Sequence, residues 1–405
     1  METKIEFIPE GSVTSPQGFH AGANYAGIKK KAKDSLDLGI LFSEVPCVAT
    51  ALFTTNKIKA APVVLSQERL QSGRASAIVV NSGCANACNG EQGLADATEM
   101  AALAAKSIGV SSEDVLAAST GVIGLPLPMK LVRAGMEQIV LSADGGHELV
   151  RAMMTTDTVP KETAVAVTAK NSKFIIGGVA KGSGMIHPNL ATLLCFLTTD
   201  AVVDIDFLRL ALPRAVDVSF NMVSIDGDTS PNDMVLIMAN GLAGNEIISQ
   251  DTEQAGVFKQ ALDQVCIYLA RCVACNGEGA TKLIEVTVGG APSMAEARLV
   301  ARTVVSSSLV KAAVHGGDPN WGRIMAALGR SGVEVMEPKI DLYLGSKCLV
   351  RAGHPLPLDR EEVAGVLHSP EVTISLQLNL GTATATAWGC DLSEEYVTIN
   401  SQYTT

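Results

Sequence analysis

The sequence predicts a layered α/β protein of the α+β kind, in which strand clusters alternate with helices. Three observations predict it. Short apolar runs bounded by Gly, Asn and Ser, such as residues 77–80 before Asn81-Ser82-Gly83, have the length and punctuation of strands. Longer stretches, 94–108 and 252–275, repeat apolar residues every three or four positions, the period of a helix with one buried face. Apolar residues make up 47% of the 405-residue chain and aromatics only 4%, so the core must be large and aliphatic. The length allows two domains or one large one. No internal repeat or low-complexity linker divides the chain.

Residues 1–60 are expected to form short strands. Residues 22–31 are rich in Gly and Ala and end in three lysines, a solvated face. Phe53-Thr54-Thr55-Asn56-Lys57 closes an apolar stretch. The strand at 77–80 enters its turn and continues through Cys84-Ala85-Asn86-Ala87-Cys88, before the helix at 94–108. Residues 115–124 form a strand ending in Ser119-Thr120-Gly121-Val122-Ile123-Gly124, which by itself is an ordinary turn exposing a hydroxyl and backbone N–H groups. Residues 126–143 and Gly146–Met153 have helical spacing. Thr155-Thr156-Asp157-Thr158 leads through Pro160-Lys161 into a hairpin, with strands 163–169 and 173–179 about an Asn171-Ser172 turn.

Beyond residue 200 a helix is expected at 204–219. Asp226-Gly227-Asp228-Thr229-Ser230-Pro231-Asn232-Asp233 is a polar loop. Its aspartates suggest calcium, but no glutamate stands at the twelfth position, which excludes an EF-hand. Met234–Ala239 is a buried strand. In the helix at 252–275, Val257, Ala261, Val265, Leu269 and Val273 recur every four residues, and Asn276-Gly277 stops it. Glu278 follows in a loop before the strand at 282–288. A lone loop glutamate is ordinarily solvated, but loops between major elements often carry function. Residues 293–313 are helical, and 315–323, from His315 to Arg323, form a dense turn cluster. A strand at 340–344 and a helix at 359–368 precede the alternating run Val372, Ile374, Leu376, Leu378, Leu380. Residues 382–387 and 396–399 are strand-like. The polar tail 400–405 is by default a disordered end.

Composition bounds the partners. A net charge of −11 excludes nucleic acid, whose phosphates require a basic face. No stretch offers 18 uninterrupted apolar residues, so no membrane span is expected. No signal or transit peptide is visible. Nine scattered cysteines make no disulfide framework, and a cytoplasmic location fits them. Cys272 and Cys275 fall in the long helical pattern and are read as buried small residues, not as a metal site.

The chemistry concentrates at 181–200. A Gly-rich turn runs into an apolar stretch that holds Thr192 directly after Ala191. On residue chemistry alone Thr192 is either a satisfied core hydroxyl or an autoproteolytic nucleophile. In the second case hydrolysis of Ala191–Thr192 leaves a free α-amine, with an ordinary pKa of about 7.7–8.0, to act as base for its own hydroxyl. The order Lys181-Gly182-Ser183 excludes a phosphate loop of the Gly-Lys-Ser type.

Lys181-Gly182-Ser183-Gly184-Met185-Ile186, then Pro188-Asn189, Ala191-Thr192 and Thr198-Thr199-Asp200 together resemble the self-cleaving segment of the ornithine acetyltransferase (ArgJ) family, the glutamate N-acetyltransferases. His187 stands where that family has a small residue, Leu190 and Leu193 where it has methionines, and Cys84 where it has Asn. The resemblance runs from Gly22 to Thr405. It implies helices sandwiching stacked sheets in an N-terminal-nucleophile-like, aminopeptidase-like arrangement, with a smaller C-terminal domain. It implies cleavage into an α chain, 1–191, and a β chain, 192–405, with 192–280 completing the main catalytic domain and 281–405 forming most of the second. It also implies assembly as a heterotetramer of two α and two β chains.

The implied reaction belongs to arginine biosynthesis. Acetyl passes from N2-acetyl-L-ornithine to L-glutamate through an acetyl-threonine at Thr192, a ping-pong covalent route. Thr120 and Gly121 would form the oxyanion hole. Thr158, Lys181, Thr192, Glu278, Asn400 and Thr405 would contact substrate. Lys181 suits the α-carboxylate common to both amino acids, and Glu278 suits the ornithine ammonium or a proton in transit. No cofactor and no metal are expected, and acetyl-CoA stays open as a second donor. Two other readings stay open: an N-terminal-threonine amidase or aminopeptidase, and a non-enzymatic binding protein that keeps the fold.

Overall fold

The computed structural model describes residues 3–29, 35–169, 172–187, 193–357 and 359–402. Among these, the strands form two sheets, one of nine strands and one of seven. In the larger sheet, Lys4–Phe7, Lys161–Ala169, Ser172–Lys181, Leu194–Thr199 and Met234–Ala239 lie side by side. The long strand Leu38–Phe53 comes next, then Arg74–Cys84 and Val115–Val122, and Phe19–Asn24 pairs with the first part of Leu38–Phe53.

The sheet is folded on itself through Leu38–Phe53, as the burial pattern shows. One cluster gathers Val179, Leu194, Phe196 and Leu236 from one half and Ile78, Val80, Leu116 and Ala118 from the other. Their alternate neighbours face outward to helices. Ala77, Val79, Val115 and Ala117 pack with Leu65, Met100, Ala104 and Val132. Cys195, Leu197, Val235 and Ile237 pack with Phe207, Ala211, Phe258, Val265 and Leu269. The result is helices, sheet, sheet, helices. Central strands buried on both faces need unbroken apolar runs, which is why Met234–Ala239 carries no polar residue.

The seven-stranded sheet runs His354–Pro355, Lys347–Arg351, Asp341–Leu344, Glu371–Gln377, Leu283–Ala291, Ala383–Cys390 and Val223–Ser224. Val372, Ile374, Leu376 and Leu378 bury one face, as their alternation predicts. That face joins the same apolar cluster as the helix Gln254–Cys275.

Several local expectations are corrected. The first sixty residues hold a 16-residue strand, Leu38–Phe53, rather than only short ones. Pro46, which in sequence ends a strand, sits in the register break between Phe42 and Cys47, where no ladder donor is required. A helix, Ala61–Arg69, has no counterpart in the sequence reading. The helical run 293–313 is two helices, Met294–Val305 and Ser308–His315, split at Ser306-Ser307. Residues 396–399 are helical, within Glu394–Ser401, because Ser393 caps the Tyr396 N–H and Glu394 and Glu395 occupy the first turn. Cys272 is only half-buried and Cys275 is exposed, so neither is the core residue expected. Lys30, Lys31 and Asn171 lie outside the described residues.

Candidate functional site

The turn after the strand Ser172–Lys181 is pinned along its length. Gly182 N–H donates to Asp157 Oδ1 at 2.8 Å, and the Ser183 hydroxyl meets Thr156 Oγ1 at 2.6 Å. Ser183 O accepts from Glu278 N–H at 2.8 Å. Met185, at φ 57°, and Ile186 direct their N–H groups to the two oxygens of Asp226, at 2.5 and 2.9 Å. On the far side of residues 188–192, Leu193 N–H donates to Asp233 Oδ1 at 3.0 Å. The polar loop once weighed for calcium therefore supplies the aspartates that hold the backbone on either side of this segment. The segment itself, with Pro188, Asn189, Leu190, Ala191 and the candidate nucleophile Thr192, lies outside the described residues.

Beneath the turn is a buried charge cluster. The Lys161–Asp157 ion pair, 2.5 Å long, has both side chains fully buried. Lys161 Nζ also donates to Asn276 Oδ1 at 2.8 Å. Burial alone would raise the Asp157 carboxyl. The Lys181 and Lys161 ammoniums and the Gly182 N–H outweigh it and hold that carboxyl well below the usual carboxylate range. Lys181 responds oppositely. Burial lowers its pKa, and the nearby carboxylates of Asp157, Asp233 and Glu278 offset only part of the shift. Its ammonium donates to Thr155 Oγ1 at 3.0 Å and to Thr120 Oγ1 at 3.3 Å.

Thr120 and Gly121 end the strand Val115–Val122, whose parallel pairing with Arg74–Cys84 shifts register at Gly83/Cys84. Such breaks re-aim groups at functional sites. Gly121 has φ 128°, and a Cβ there would lie 2.4 Å from the Gly83 carbonyl carbon, so no other residue fits. Asn232 fixes this strand end, donating to Ser119 O and Ala85 O at 2.8 and 2.7 Å. On the opposite wall Glu278 is buried, and its Oε2 accepts from Asn400 Nδ2 at 2.8 Å. Gly184 makes room for that carboxylate, which would stand 2.3 Å from an added Cβ. Asn400 arrives on the C-terminal helix Glu394–Ser401. Ser393 Oγ ties this helix to Gly279 O at 2.6 Å, and Asp391 ties it to the N–H groups of Thr281 and Lys282. Thr120, Gly121, Lys181, Glu278 and Asn400 thus line one cavity of about 280 Å³.

The ArgJ family profile matches residues 20–405. The chain belongs to the ArgJ family. It is similar to the arginine biosynthesis bifunctional protein ArgJ of Dehalococcoides mccartyi, 53% identical over 405 residues and covering all of both chains. The protein of the same name from Symbiobacterium thermophilum is 51% identical, covering 98% of this chain and 99% of that one. Among solved structures, the crystal structure of arginine biosynthesis bifunctional protein argJ from Bacillus halodurans is 45% identical with a TM-score of 0.50. It covers 51% of this chain and 98% of its own.

Of the site residues named from the ArgJ resemblance, five share the cavity. Thr158 does not line it. Its N–H donates to Asn276 Oδ1 at 3.1 Å and its hydroxyl accepts from Asn276 Nδ2. Thr405 lies outside the described residues. The two departures from the ArgJ pattern have ordinary local roles. Cys84 is buried with its thiol on Leu125 O, and half-buried His187 meets Ser224 Oγ at 3.2 Å. Sequence reasoning missed Thr155, Ser230 and Asn232 on the cavity wall and Asp157, Asp226 and Asp233 behind it. The only available signal was the clustering of Asp and Thr in 155–158 and of Asp, Thr, Ser and Asn in 226–233, which reads equally well as two loops.

Proposed function

We propose that this chain is the glutamate N-acetyltransferase of arginine biosynthesis, moving acetyl from N2-acetyl-L-ornithine to L-glutamate. In this reading Ala191–Thr192 is cleaved by the chain itself, giving chains 1–191 and 192–405. The freed α-amine of Thr192 takes the hydroxyl proton as the oxygen attacks the acetyl carbonyl. Thr120 and Gly121 hold the oxyanion, and ornithine leaves with the proton. The glutamate amine then attacks the acetyl-threonine. No metal or organic cofactor has a step. The α-carboxylate common to both amino acids pairs with Lys181, and Glu278 faces the ornithine ammonium. Asn400 fixes Glu278, and Thr405 is assigned a substrate contact, whereas Thr158 acts through Asn276.

One observation carries the reading. Four segments remote in sequence bring Thr120–Gly121, Lys181, Glu278 and Asn400 into a single cavity, beside the turn that leads into 188–192. The halodurans crystal chain supports two mature chains, since it spans half of this polypeptide at nearly full coverage of itself, whereas the Dehalococcoides relative matches end to end. We place the main catalytic domain in 1–280 and most of the second in 281–405, within a heterotetramer of two α and two β chains. No helix among the described residues is long and apolar enough to cross a membrane, and the reading is of a cytoplasmic enzyme.

Incubation with acetylornithine, with and without glutamate, tests the activity. Acetylglutamate and ornithine should appear in equal amounts, and acetate alone would instead indicate an amidase. Intact-mass spectrometry tests maturation: wild type should give two species and Thr192→Ala one inactive species. A fully active single chain would refute cleavage.

A further inference from the structure

Two thiols stand where the long helix ends and the catalytic wall begins. Cys275 is the last residue of Gln254–Cys275 and is exposed, and Cys272, one turn earlier, is half-buried. The next residue, Asn276, closes the helix, its N–H donating to Cys272 O at 3.1 Å. Its side chain then reaches into the wall. Oδ1 accepts from Lys161 Nζ at 2.8 Å and from Thr158 N–H at 3.1 Å, and Nδ2 donates to Thr158 Oγ1. Asn276 is thus the neutral acceptor beside the Lys161–Asp157 ion pair. No third cysteine, histidine or carboxylate joins the two thiols in a metal-ligating group among the described residues. Two thiols by themselves offer disulfide chemistry.

We propose that Cys272 and Cys275 form a reversible disulfide that loosens Asn276 and lowers acetyl transfer under oxidising conditions. Residues three apart on a helix hold their Cβ atoms about 5–6 Å apart, and a disulfide needs about 3.5–4.5 Å. The turn must therefore tighten. In mid-helix the turns on both sides resist this, but here the helix stops at Asn276 and one end is free to give. The distortion falls on the bond from Asn276 N–H to Cys272 O and draws the amide away from Lys161 and Thr158. The reaction is thiol–disulfide exchange with a small disulfide of the oxidised-glutathione class. The exposed Cys275, as thiolate, bonds to one sulfur of that disulfide, and the other sulfur leaves and takes up the proton that Cys275 gave. Cys272 then loses its proton, bonds to Cys275 and displaces the second small thiol. Two protein thiols are oxidised and one small disulfide is reduced to two thiols. Burial raises the Cys272 pKa, which slows this second step, so the bond records sustained exposure. In a reducing cytoplasm the pair rests as thiols. The effect on activity rests on the acetyl-transfer reading above, whereas the bond itself does not.

The test treats the whole purified enzyme with oxidised glutathione, maps its cysteines by mass spectrometry and assays exchange between acetylornithine and glutamate. In wild type the peptide holding both cysteines should become two hydrogens lighter and carry no glutathione. Its kcat/KM should fall several-fold and return with dithiothreitol. Cys275→Ser should keep wild-type activity before and after treatment, and Cys272→Ser should retain glutathione on Cys275. Asn276→Ala should start at the lowered value and fall no further on oxidation, because two changes acting through one group do not add. Free thiols at both positions, or glutathione left on Cys275 beside a free Cys272 in wild type, overturn the disulfide. A mapped disulfide with unchanged kcat/KM, or a further fall in Asn276→Ala, overturns its action through Asn276. A reduced wild type without exchange would sink the acetyl-transfer reading, and the mapped thiols would still decide the bond.

Discussion

Two regions meet at the cavity, and they are held in opposite ways. The wall from 155–187 rests on fully buried ions: Lys161 and Asp157 in contact, Lys181 above them, and backbone N–H groups directed at carboxylates. The wall from the C-terminal helix Glu394–Ser401 buries no residue at all. It is attached by polar bonds, Ser393 to Gly279, Asp391 to Thr281 and Lys282, and Asn400 to Glu278. His315 reinforces that attachment, lying 2.7 Å from Asp391 and 3.3 Å from Glu394. The first region cannot yield without exposing uncompensated charge. The second can loosen at little cost. The rigid wall should therefore set turnover and stability, and the tail should set how substrate is retained.

The strongest way to break this contrast is Asp157→Asn. It leaves two ammoniums buried with their central carboxylate gone, and losing one partner of a buried pair costs about 3–5 kcal/mol. Chemical denaturation should show a loss of that order, together with loss of activity. A change under 1 kcal/mol would mean the cluster is not structural. The pH dependence follows. The folded pKa of Asp157 is depressed, so its contribution is complete above the ordinary value of 3.8 and is lost as pH falls below it. Wild-type stability should therefore fall below pH 4, and Asp157→Asn should lack that component.

Thr120→Ala comes next. Removing one preorganised oxyanion donor costs about 10²–10³ in rate. Turnover should drop by that factor with an unchanged melting temperature, because Asn232 and the strand pairing still hold the backbone. Turnover close to wild type would remove Thr120 from the oxyanion role.

Lys181 gives a smaller, pH-resolved effect. Burial lowers its pKa from the ordinary 10.5, so it loses its proton earlier than a surface lysine does on alkaline titration. The KM for acetylornithine should rise at a pH below 10.5. Stability runs the other way: the unfolded chain holds that proton more tightly, so its loss from Lys181 favours the fold as pH rises through the lowered value. A KM that stays flat up to pH 10.5 would take the carboxylate away from Lys181.

How legible each region was in the sequence follows from how local its forces are. The strand Met234–Ala239 appears whole, since a fully buried strand needs only its own apolar run. The helix Gln254–Cys275 shows its period over six turns. Thr120–Gly121 and the Gly-rich turn are short motifs that carry their own signal. Asp226 is different. Its role is to hold N–H groups about forty residues away, and nothing in Asp226-Gly227-Asp228 says so. Asn232 bridges to residues over a hundred positions distant. The tail helix misleads for another reason. Tyr396, Val397, Thr398 and Ile399 favour a strand, but a serine cap and two acidic residues decide in favour of helix.

The smallest expected effect, and the sharpest for the comparison, is deletion of 400–405. A polar tail after the last strand is by default dispensable. Here Asn400 reaches the Glu278 carboxylate and stands in the cavity wall, on a helix with no buried residue. Deletion should therefore leave the melting temperature nearly unchanged, because the helix it shortens buries no residue. The KM for acetylornithine should still rise several-fold, since Glu278 would lose the Asn400 hydrogen bond that holds it in place. The open wall should also admit water to the acetyl-threonine, so acetate should increase relative to acetylglutamate. Asn400→Ala separates the two effects: it removes the bond to Glu278 while the helix stays in place. It should raise KM with less acetate than the deletion gives. Equal acetate from both would assign water exclusion to the Asn400 amide rather than to the helix. An unchanged KM and product ratio in the deletion would return the tail to a dispensable end and leave the rigid wall to account for the whole site.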